Sequence, residues 1–330
     1  MDQTTPSLSL FSDRSTLNIK IETNLEKLYN HVEEPENQKA TLTFYLNDSV
    51  KMVKLIKIRV RGHTRKTLCS VPPLRVDFDR SEFLNDWLGA ITSLKVFNTC
   101  SDGAEYNSYL HKEYIMLEIY RLLTDVSYRV RLLKLNITDT KNVTDDISAF
   151  AFFLENDKKL ASRTNSIETE LEETTVGELV RSFYMYPSEE TAYNVAVLSI
   201  YQYMMGNTDW NIAGLHNLKL YDLPKTQYLV PYDFDYSGFV NAKYAVPSAS
   251  IPIKNIRDRY YQGPCSDPAI FGKALDHIIS KKERIYQTIL FYPYLKKKEK
   301  EKMIDYLDEF FIEATDKETF INKFARIECQ

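Results

Sequence analysis

Glycine is scarce in this chain, and its spacing excludes several kinds of site. The 330 residues contain only nine glycines, and no two of them lie closer than eight positions apart. The motifs G-x-G-x-x-G, G-x-x-x-x-G-K-[ST] and G-x-S-x-G are therefore absent, which argues against Rossmann dinucleotide binding, Walker-type phosphate binding and the usual serine-hydrolase elbow. H-E-x-x-H and C-x-x-C are also missing. A zinc site would have to be assembled from scattered ligands.

Basic charge and long apolar runs are also lacking. The 46 acidic residues outnumber the 42 basic ones, giving a net charge of −4, which argues against nucleic acid as the main partner. No apolar run approaches the ~18 residues of a transmembrane helix, so we expect no membrane span. The first residues, Met1 to Pro6, carry no basic or apolar signal-peptide pattern. As written the chain is expected to be cytoplasmic, and an envelope or secreted location follows only if a leader was removed.

Four cysteines, at positions 69, 100, 265 and 329, are widely spaced. Such spacing is not typical of a small disulfide framework. We expect buried free thiols, with a single Cys69–Cys100 bridge as the alternative if the protein is exported.

The hydrophobic patterning predicts an α+β protein with two regions of different character, as expected from a length that allows about two domains. Residues 1–40 are predicted to be a lead-in segment with a short helix near 25–31. Residues 41–158 form a β-rich region with one prominent helix, and residues 159–330 form a mainly helical region interrupted by one hairpin. Strands are expected at 41–46, 53–60, 74–78, 94–97, 128–136 and 149–155, and helices at 111–123, at 192–205 after a Ser188 cap, and from 268 onward.

The densest group of polar residues surrounds the hairpin at 216–232. It comprises Gly206-Asn207-Thr208-Asp209-Trp210-Asn211, then His216-Asn217, then Asp233-Phe234-Asp235. Because a hairpin brings its two ends together, Asp209, Asn217, Asp233 and Asp235 are expected to converge. An all-oxygen ligand set suits Mg²⁺, or Mn²⁺, held jointly with nucleotide phosphates. A remaining carboxylate can orient an acceptor hydroxyl, and this combination is what phosphoryl transfer needs.

Each of these residues also has an ordinary structural interpretation. Asp and Asn often occupy turns and caps without any chemical role. His216 could touch the metal region but is expected to pack at the start of a strand, and Trp210 is expected to be a packing anchor and not a nucleotide stacker.

The order of these motifs resembles the CotH (spore-coat protein H) kinase-like family. The segments Gly-Asn-Thr-Asp-Trp at 206–210 and Pro-Tyr-Asp-Phe-Asp at 231–235 resemble its catalytic half. Further elements agree in order: Arg-Gly at 61–62, the basic strand at 74–78, Leu94-Lys95-Val96-Phe97, the helix with Lys112-Glu113-Tyr114, and Phe152 to Glu155. The resemblance covers residues 50–265 and implies an atypical, two-lobed protein-kinase-like fold.

The resemblance implies a role for each matching residue. Asp209 would orient or deprotonate the acceptor, while Asn217, Asp233 and Asp235 would bind the metal. Lys95 would contact the α- and β-phosphates of ATP with Glu113 holding it, and Arg61, Arg65 and Arg75 are further phosphate candidates.

Three assignments have alternatives. Asn217 lies eight positions after Asp209, where the family-like spacing is about five. Ile212-Ala213-Gly214 looks inserted, so Asn211 could be the metal ligand instead. Arg75 competes with Lys95, and Glu118 competes with Glu113.

The leading functional hypothesis is an ATP- and Mg²⁺-dependent phosphotransferase that phosphorylates a protein Ser or Thr hydroxyl. Within the same fold, a small-molecule kinase or nucleotidyl transferase would use the same residues. A catalytically inactive nucleotide- or partner-binding pseudokinase is the second alternative. A structural or adhesive protein, suggested by the 23 tyrosines, is the third.

Overall fold

A computed structural model describes residues 10–30, 35–47, 49–62, 69–78, 91–101, 103–169 and 188–325. The chain divides into two compact units. The first unit comprises Met1–Leu110 and Arg129–Lys159, and the second comprises His111–Tyr128 and Leu160–Gln330. The N-terminal region is rich in β-strands and the C-terminal region is mainly helical, so the predicted α+β class is confirmed at this level.

Seven strands of the first unit form one closed sheet. They are β1 (Leu17–Thr23), β2 (Gln38–Tyr45), β3 (Lys51–Val60), β4 (Leu74–Phe78), β5 (Ser93–Asn98), β6 (Val130–Asp139) and β7 (Ile147–Leu154). Their order is β1-β2-β3-β4-β5-β7-β6, and neighbours are antiparallel except where β1 and β6 close the sheet in parallel. The sequence predicted the hairpin of β2 and β3 and the strands β4 to β7. It did not predict that β1 pairs with β6 and so closes the sheet.

The core of this unit lies inside the closed sheet, because alternate residues of each strand face inward. On β3, Ile56, Ile58 and Val60 are buried while Lys57 and Arg59 remain at least partly exposed. The seven strands contribute the same kind of aliphatic and phenylalanine side chains to one cluster. The outer face carries charged residues such as Arg59, Arg75 and Lys95, together with the stacked pair Phe97 and Phe152.

Strand β1 and the short helix α1 (Leu25–Asn30) lie in the segment that the sequence presents as a polar lead-in. β1 pairs with both β2 and β6, and Leu17, Ile19 and Ile21 point into the core. Asp139 at the end of β6 accepts hydrogen bonds from the backbone amides of Leu25 (3.1 Å) and Val143 (2.9 Å). These and similar backbone donors lower the pKa of Asp139 to about 2.

The predicted free thiols are wrong for the described cysteines. Cys69 and Cys100 form a disulfide with a Cα–Cα distance of 4.5 Å, and Cys265 is also disulfide-bonded. The first bridge forms because the segments that flank β4 and β5 run side by side: Asn98 Nδ2 donates to the Val71 carbonyl at 2.7 Å. The alternative of a Cys69–Cys100 bridge is the one that the structure contains.

Helices dominate the second unit. Beyond α1, the described part of the chain contains the helices α2 (Ala104–Leu123), α3 (Asp157–Thr164), α4 (Glu189–Met204), α5 (Pro268–Ser280), α6 (Lys282–Leu290), α7 (Lys297–Glu313) and α8 (Lys317–Phe324). A three-stranded sheet has the order β10-β9-β8, with β8 at Ile167–Thr169, β9 at Leu218–Leu223 and β10 at Thr226–Pro231. The hairpin of β9 and β10 matches the one predicted at 216–232. Within the described ranges, no helix combines the length and apolar character that crossing a membrane requires.

The buried helix α4 carries the chain to the predicted catalytic loop. Its cap is the predicted one, since the side chain of Ser188 accepts a hydrogen bond from the Thr191 amide at 3.1 Å. Glu189 and Glu190 occupy the first turn, where the helix dipole favours negative charge. The helix ends at Met204, and Gly206 then takes a positive φ of 59° that turns the chain out of the helix.

Candidate functional site

The loop after α4 is fixed to its surroundings by backbone pairing. Gly238 N donates to the Gly206 carbonyl at 2.9 Å, and Asn207 forms an isolated antiparallel bridge with Ser237. Gly206 and Gly238 lie beneath Tyr306, whose hydroxyl would collide with a Cβ at either position. Glycine is needed at this crossing because the two backbones and the tyrosine leave no room for a side chain.

The side chain of Asn207 sets the position of Asp209. Asn207 Nδ2 donates to Gln202 Oε1 at 3.0 Å, and Asn207 Oδ1 accepts from the backbone amide of Asp209 at 3.0 Å. Asn207 is buried, with 1% of its surface exposed. The end of α4 therefore holds the Asp209 backbone through a single buried amide.

The carboxylate of Asp209 receives hydrogen bonds at both oxygens. His216 Nε2 lies 2.9 Å from Oδ1, and Asn217 Nδ2 donates to Oδ2 at 2.9 Å. Asn217 Nδ2 also donates to the Asp209 carbonyl at 2.8 Å. The side chain of Asp209 remains 40% exposed, so the group is oriented yet accessible to a reactant.

His216 does not pack at the start of a strand, which corrects the sequence-based expectation. Its side chain is 57% exposed and its ring faces the carboxylate of Asp209. The sequence offers no signal for this contact beyond the presence of a histidine next to Asn217. Trp210, in contrast, is buried with 2% exposure, as expected for a packing anchor.

The residues between Trp210 and His216 form a small closed loop. Asn211 N donates to the His216 carbonyl at 3.1 Å, and His216 N donates to the Asn211 carbonyl at 2.9 Å. Asn211 Oδ1 accepts from the Gly214 amide at 2.7 Å. Asn211 therefore stabilises a turn of the loop, while Asn217 is the asparagine that contacts Asp209.

The far strand of the hairpin returns to the same place. Tyr232 N donates to the Asn217 carbonyl at 3.1 Å, so Asp233 follows directly after a residue that pairs with Asn217. Asp233 has a positive φ of 63°, an uncommon conformation for a residue other than glycine or asparagine. Asp235, two residues before the Asn207–Ser237 bridge, is buried and accepts a hydrogen bond from the Tyr244 hydroxyl at 3.0 Å.

The hairpin brings oxygen-bearing side chains to this region. Asn217 Nδ2 donates to Asp209, which leaves its Oδ1 as the amide oxygen, and Asp233 and Asp235 carry carboxylate oxygens. The set is all-oxygen, which suits Mg²⁺. Across the described ranges, however, no three His, Cys, Asp or Glu side chains are grouped closely enough to hold a metal ion by themselves.

The predicted phosphate-binding cations lie in the first unit, on the outer face of the closed sheet. Arg75 on β4 is the direct cross-strand partner of both Arg59 on β3 and Lys95 on β5, which places these three on one face. Arg61 follows β3, and its guanidinium lies 4.7 Å from the ring centroid of Phe97. Arg65 lies outside the described residues.

Acidic neighbours accompany these cations. Lys95 Nζ lies 3.3 Å from Asp157 Oδ2, and Arg75 Nε lies 2.9 Å from Asp77 Oδ1. Glu113, the predicted partner of Lys95, is buried on α2 within the second unit, and its pairing with Lys95 stays a prediction. The competing Glu118 lies 3.3 Å from Arg121 on the same helix.

No protein-family model matches the chain, and no curated protein matches it. Among solved structures, the chain is similar to a chain of the Shewanella oneidensis MR-1 toxin–antitoxin complex of HipA, HipB and its operator DNA. The identity is 12%, the match covers 95% of this chain and 75% of that chain, and the TM-score is 0.33. A likeness at this level does not establish a common fold. The resemblance to the CotH family therefore rests on the residues alone.

Proposed function

We propose that this chain is an ATP- and Mg²⁺-dependent phosphotransferase of CotH-like, two-lobed kinase architecture that phosphorylates a Ser or Thr hydroxyl of a protein. One observation carries the proposal. Asn217 contacts Asp209 at the foot of the β9–β10 hairpin, and the returning strand pairs with Asn217 immediately before Asp233. The hairpin thus joins an oriented carboxylate, an amide oxygen and a second carboxylate in one short segment.

In the proposed reaction the acceptor hydroxyl oxygen forms a bond to the γ-phosphorus of ATP as the bond to the β-phosphate oxygen breaks. The hydroxyl proton passes to Asp209, and ADP leaves. Asp209 suits this role because its two carboxylate oxygens are already held by His216 and Asn217. An oriented base reduces the rearrangement needed at the moment of transfer.

Asn217, Asp233 and Asp235 would hold Mg²⁺, which when bound supplies neutralisation of phosphate charge. Asn217 is preferred to Asn211 because Asn211 Oδ1 is already used by the Gly214 amide. Lys95 and Arg75 would both contact phosphate, since their cross-strand position places two cations side by side. Arg61, which directly follows β3 and contacts the ring of Phe97, is a further candidate for binding phosphate.

An inactive pseudokinase of the same fold is the second candidate. Its supporting observation is that Lys95 and Arg75 lie within ion-pair distance of Asp157 and Asp77, so phosphate would have to compete with carboxylates. A small-molecule kinase or nucleotidyl transferase would use the same site residues and differ only in acceptor. The acceptor is thus the part of the proposal that the catalytic loop alone does not define.

Transfer of label from [γ-³²P]ATP tests the proposal. We expect Asp209→Asn to lower turnover by about 10²- to 10⁴-fold while nucleotide affinity is kept, because a base is lost and not a ligand. Asp233→Ala should abolish Mg²⁺-dependent nucleotide binding. Asp305→Asn, at an exposed position on α7, is the matched control and should behave as wild type. Equal labelling by the wild type and Asp233→Ala would remove the metal assignment.

A further inference from the structure

A cavity of about 870 Å³ lies beside the loop that follows Trp210, and every described residue that lines it belongs to the second unit. Its walls come from the first turns of α4, from that loop, from the start of α5 and from residues 261–266. Most of the wall is apolar, with side chains from Ala192, Val195, Ala196, Ile212, Ala213 and Ile270. The size is in the range that holds a drug-sized molecule or a few side chains of a peptide.

The loop that forms one wall also reaches the proposed base. Ile212 and Ala213 belong to the three residues that look inserted in the sequence, and Asn211 and His216 close the loop by two backbone hydrogen bonds. His216, at the end of the loop, binds Asp209. One loop therefore lines the cavity through Ile212 and Ala213 and contacts Asp209 through His216.

The lining has the chemistry of a neutral, partly apolar ligand. Glu189 is the only Asp, Glu, Lys or Arg among the described residues that line the cavity, and it pairs with Lys273 at 2.9 Å. Among the described lining residues, a phosphate or carboxylate placed here would meet no cation. Burying an apolar side chain of leucine or phenylalanine size contributes a favourable free energy of about 1.5 to 3 kcal/mol.

One polar group of the lining, Gln262 Oε1, is buried without a hydrogen-bond partner among the described residues. Gln262 Nε2 donates to the Trp210 carbonyl at 3.3 Å, which holds the amide against the loop that follows α4. A polypeptide backbone amide offers the donor that Oε1 lacks.

We propose that this cavity is the acceptor subsite: it takes an apolar side chain next to the Ser or Thr of a peptide substrate and so presents the hydroxyl to Asp209. The inference rests on the proposed phosphotransferase function and adds a substrate class to it. The inserted loop then selects the acceptor, a role that the catalytic residues do not supply.

Synthetic Ser and Thr peptides that differ only in the flanking residue test the proposal, with leucine or phenylalanine compared with aspartate. The wild type should label the apolar-flanked peptides at least ten-fold faster than the aspartate-flanked ones. Ala213→Phe, which fills the cavity from an exposed loop position, should bring this ratio of labelling rates to within two-fold of one. Ile212→Ser, which removes apolar surface without adding bulk, should lower it several-fold. Ala104→Phe, the same change at an exposed position on α2, should keep the wild-type ratio.

Stabilisation by Mg-ATP, measured on every variant by thermal shift, separates this inference from the function on which it rests. We expect the same shift in the wild type, Ala213→Phe, Ile212→Ser and Ala104→Phe. Equal labelling of apolar and acidic peptides by the wild type, or an unchanged ratio in Ala213→Phe, overturns the subsite. A wild type that binds Mg-ATP but labels no peptide also overturns it and leaves phosphotransfer to a non-peptide acceptor. Absence of any Mg-ATP shift refutes the phosphotransferase proposal itself.

Discussion

His111 gives the second unit a pH-dependent stability that can be worked out from its surroundings. The ring is 2% exposed on α2, its Nδ1 lies 2.6 Å from the Tyr292 hydroxyl, and it stacks on Tyr294. Burial disfavours the charged imidazolium and lowers the pKa of His111 to about 4, although Glu299 acts in the opposite direction. Since the ordinary value is ~6.5, the unfolded chain binds a proton between these two pKa values and the folded chain does not.

The contribution of His111 to the free energy of unfolding is largest above pH 6.5. It falls as the pH is lowered towards 4, because protonation of His111 then favours the unfolded state. A difference of about 2.5 pKa units corresponds to roughly 3 kcal/mol once the pH is below both values, and to about 2 kcal/mol between pH 7 and pH 5. The perturbation that isolates this effect is the double variant His111→Phe, Tyr292→Phe, which keeps two aromatic rings and removes both the titrating group and the hydroxyl that would lose its partner.

Urea unfolding at pH 7, 6 and 5 measures the effect as the difference between the wild type and the double variant. We expect the wild type to lose about 2 kcal/mol more than the variant over this interval. Parallel pH curves for the two proteins would show that His111 titrates normally and that the burial argument is wrong. If the double variant lost more unfolding free energy than the wild type at low pH, the predicted direction of the His111 effect would be wrong.

Two further predictions concern the scaffold of the two units. Gly238→Ala should destabilise the second unit by about 1 to 3 kcal/mol, because its Cβ would lie 2.8 Å from the Ile256 carbonyl oxygen; Gly272→Ala, which meets only a side-chain methyl at 3.2 Å, is the control in thermal unfolding and should be neutral or stabilising. Equal losses in the two variants would contradict the steric argument. Replacing Cys69 and Cys100 together by alanine removes a bridge that spans 31 residues and should lower the unfolding free energy of the first unit by about 2 to 4 kcal/mol. Unchanged unfolding curves for the oxidised wild type and this variant would show that the bridge does not constrain the unfolded chain.

Local patterns were sufficient for most of the secondary structure. The alternation in β3 and the turn before it predicted the hairpin with β2, and Ser188 followed by two glutamates predicted the start of α4. These signals are local because the period of burial and the capping residue lie within the element itself. The same reasoning placed the β9–β10 hairpin, and with it the approach of Asn217 to Asp209.

What the sequence did not predict depends on contacts between distant residues. β1 is flanked by polar segments, and its parallel partner β6 lies more than a hundred residues away, so nothing local indicated that the sheet closes. The Cys69–Cys100 bridge could be named only as an alternative to free thiols, because it depends on how two distant segments are placed side by side. At the candidate site, the hydrogen bond between His216 and Asp209 is made by a loop whose shape comes from backbone bonds that the residue types do not specify.

The central proposal is that Asn217 and Asp233 bind a nucleotide-dependent cation while Asp209 faces the transferred phosphate as the base, and a structure with Mg²⁺ and a non-hydrolysable ATP analogue tests it most directly. The account predicts an ion in contact with Asn217 Oδ1 and the Asp233 carboxylate, with the γ-phosphate facing Asp209. An ion bound elsewhere, or a nucleotide whose phosphates approach none of these three residues, would contradict it.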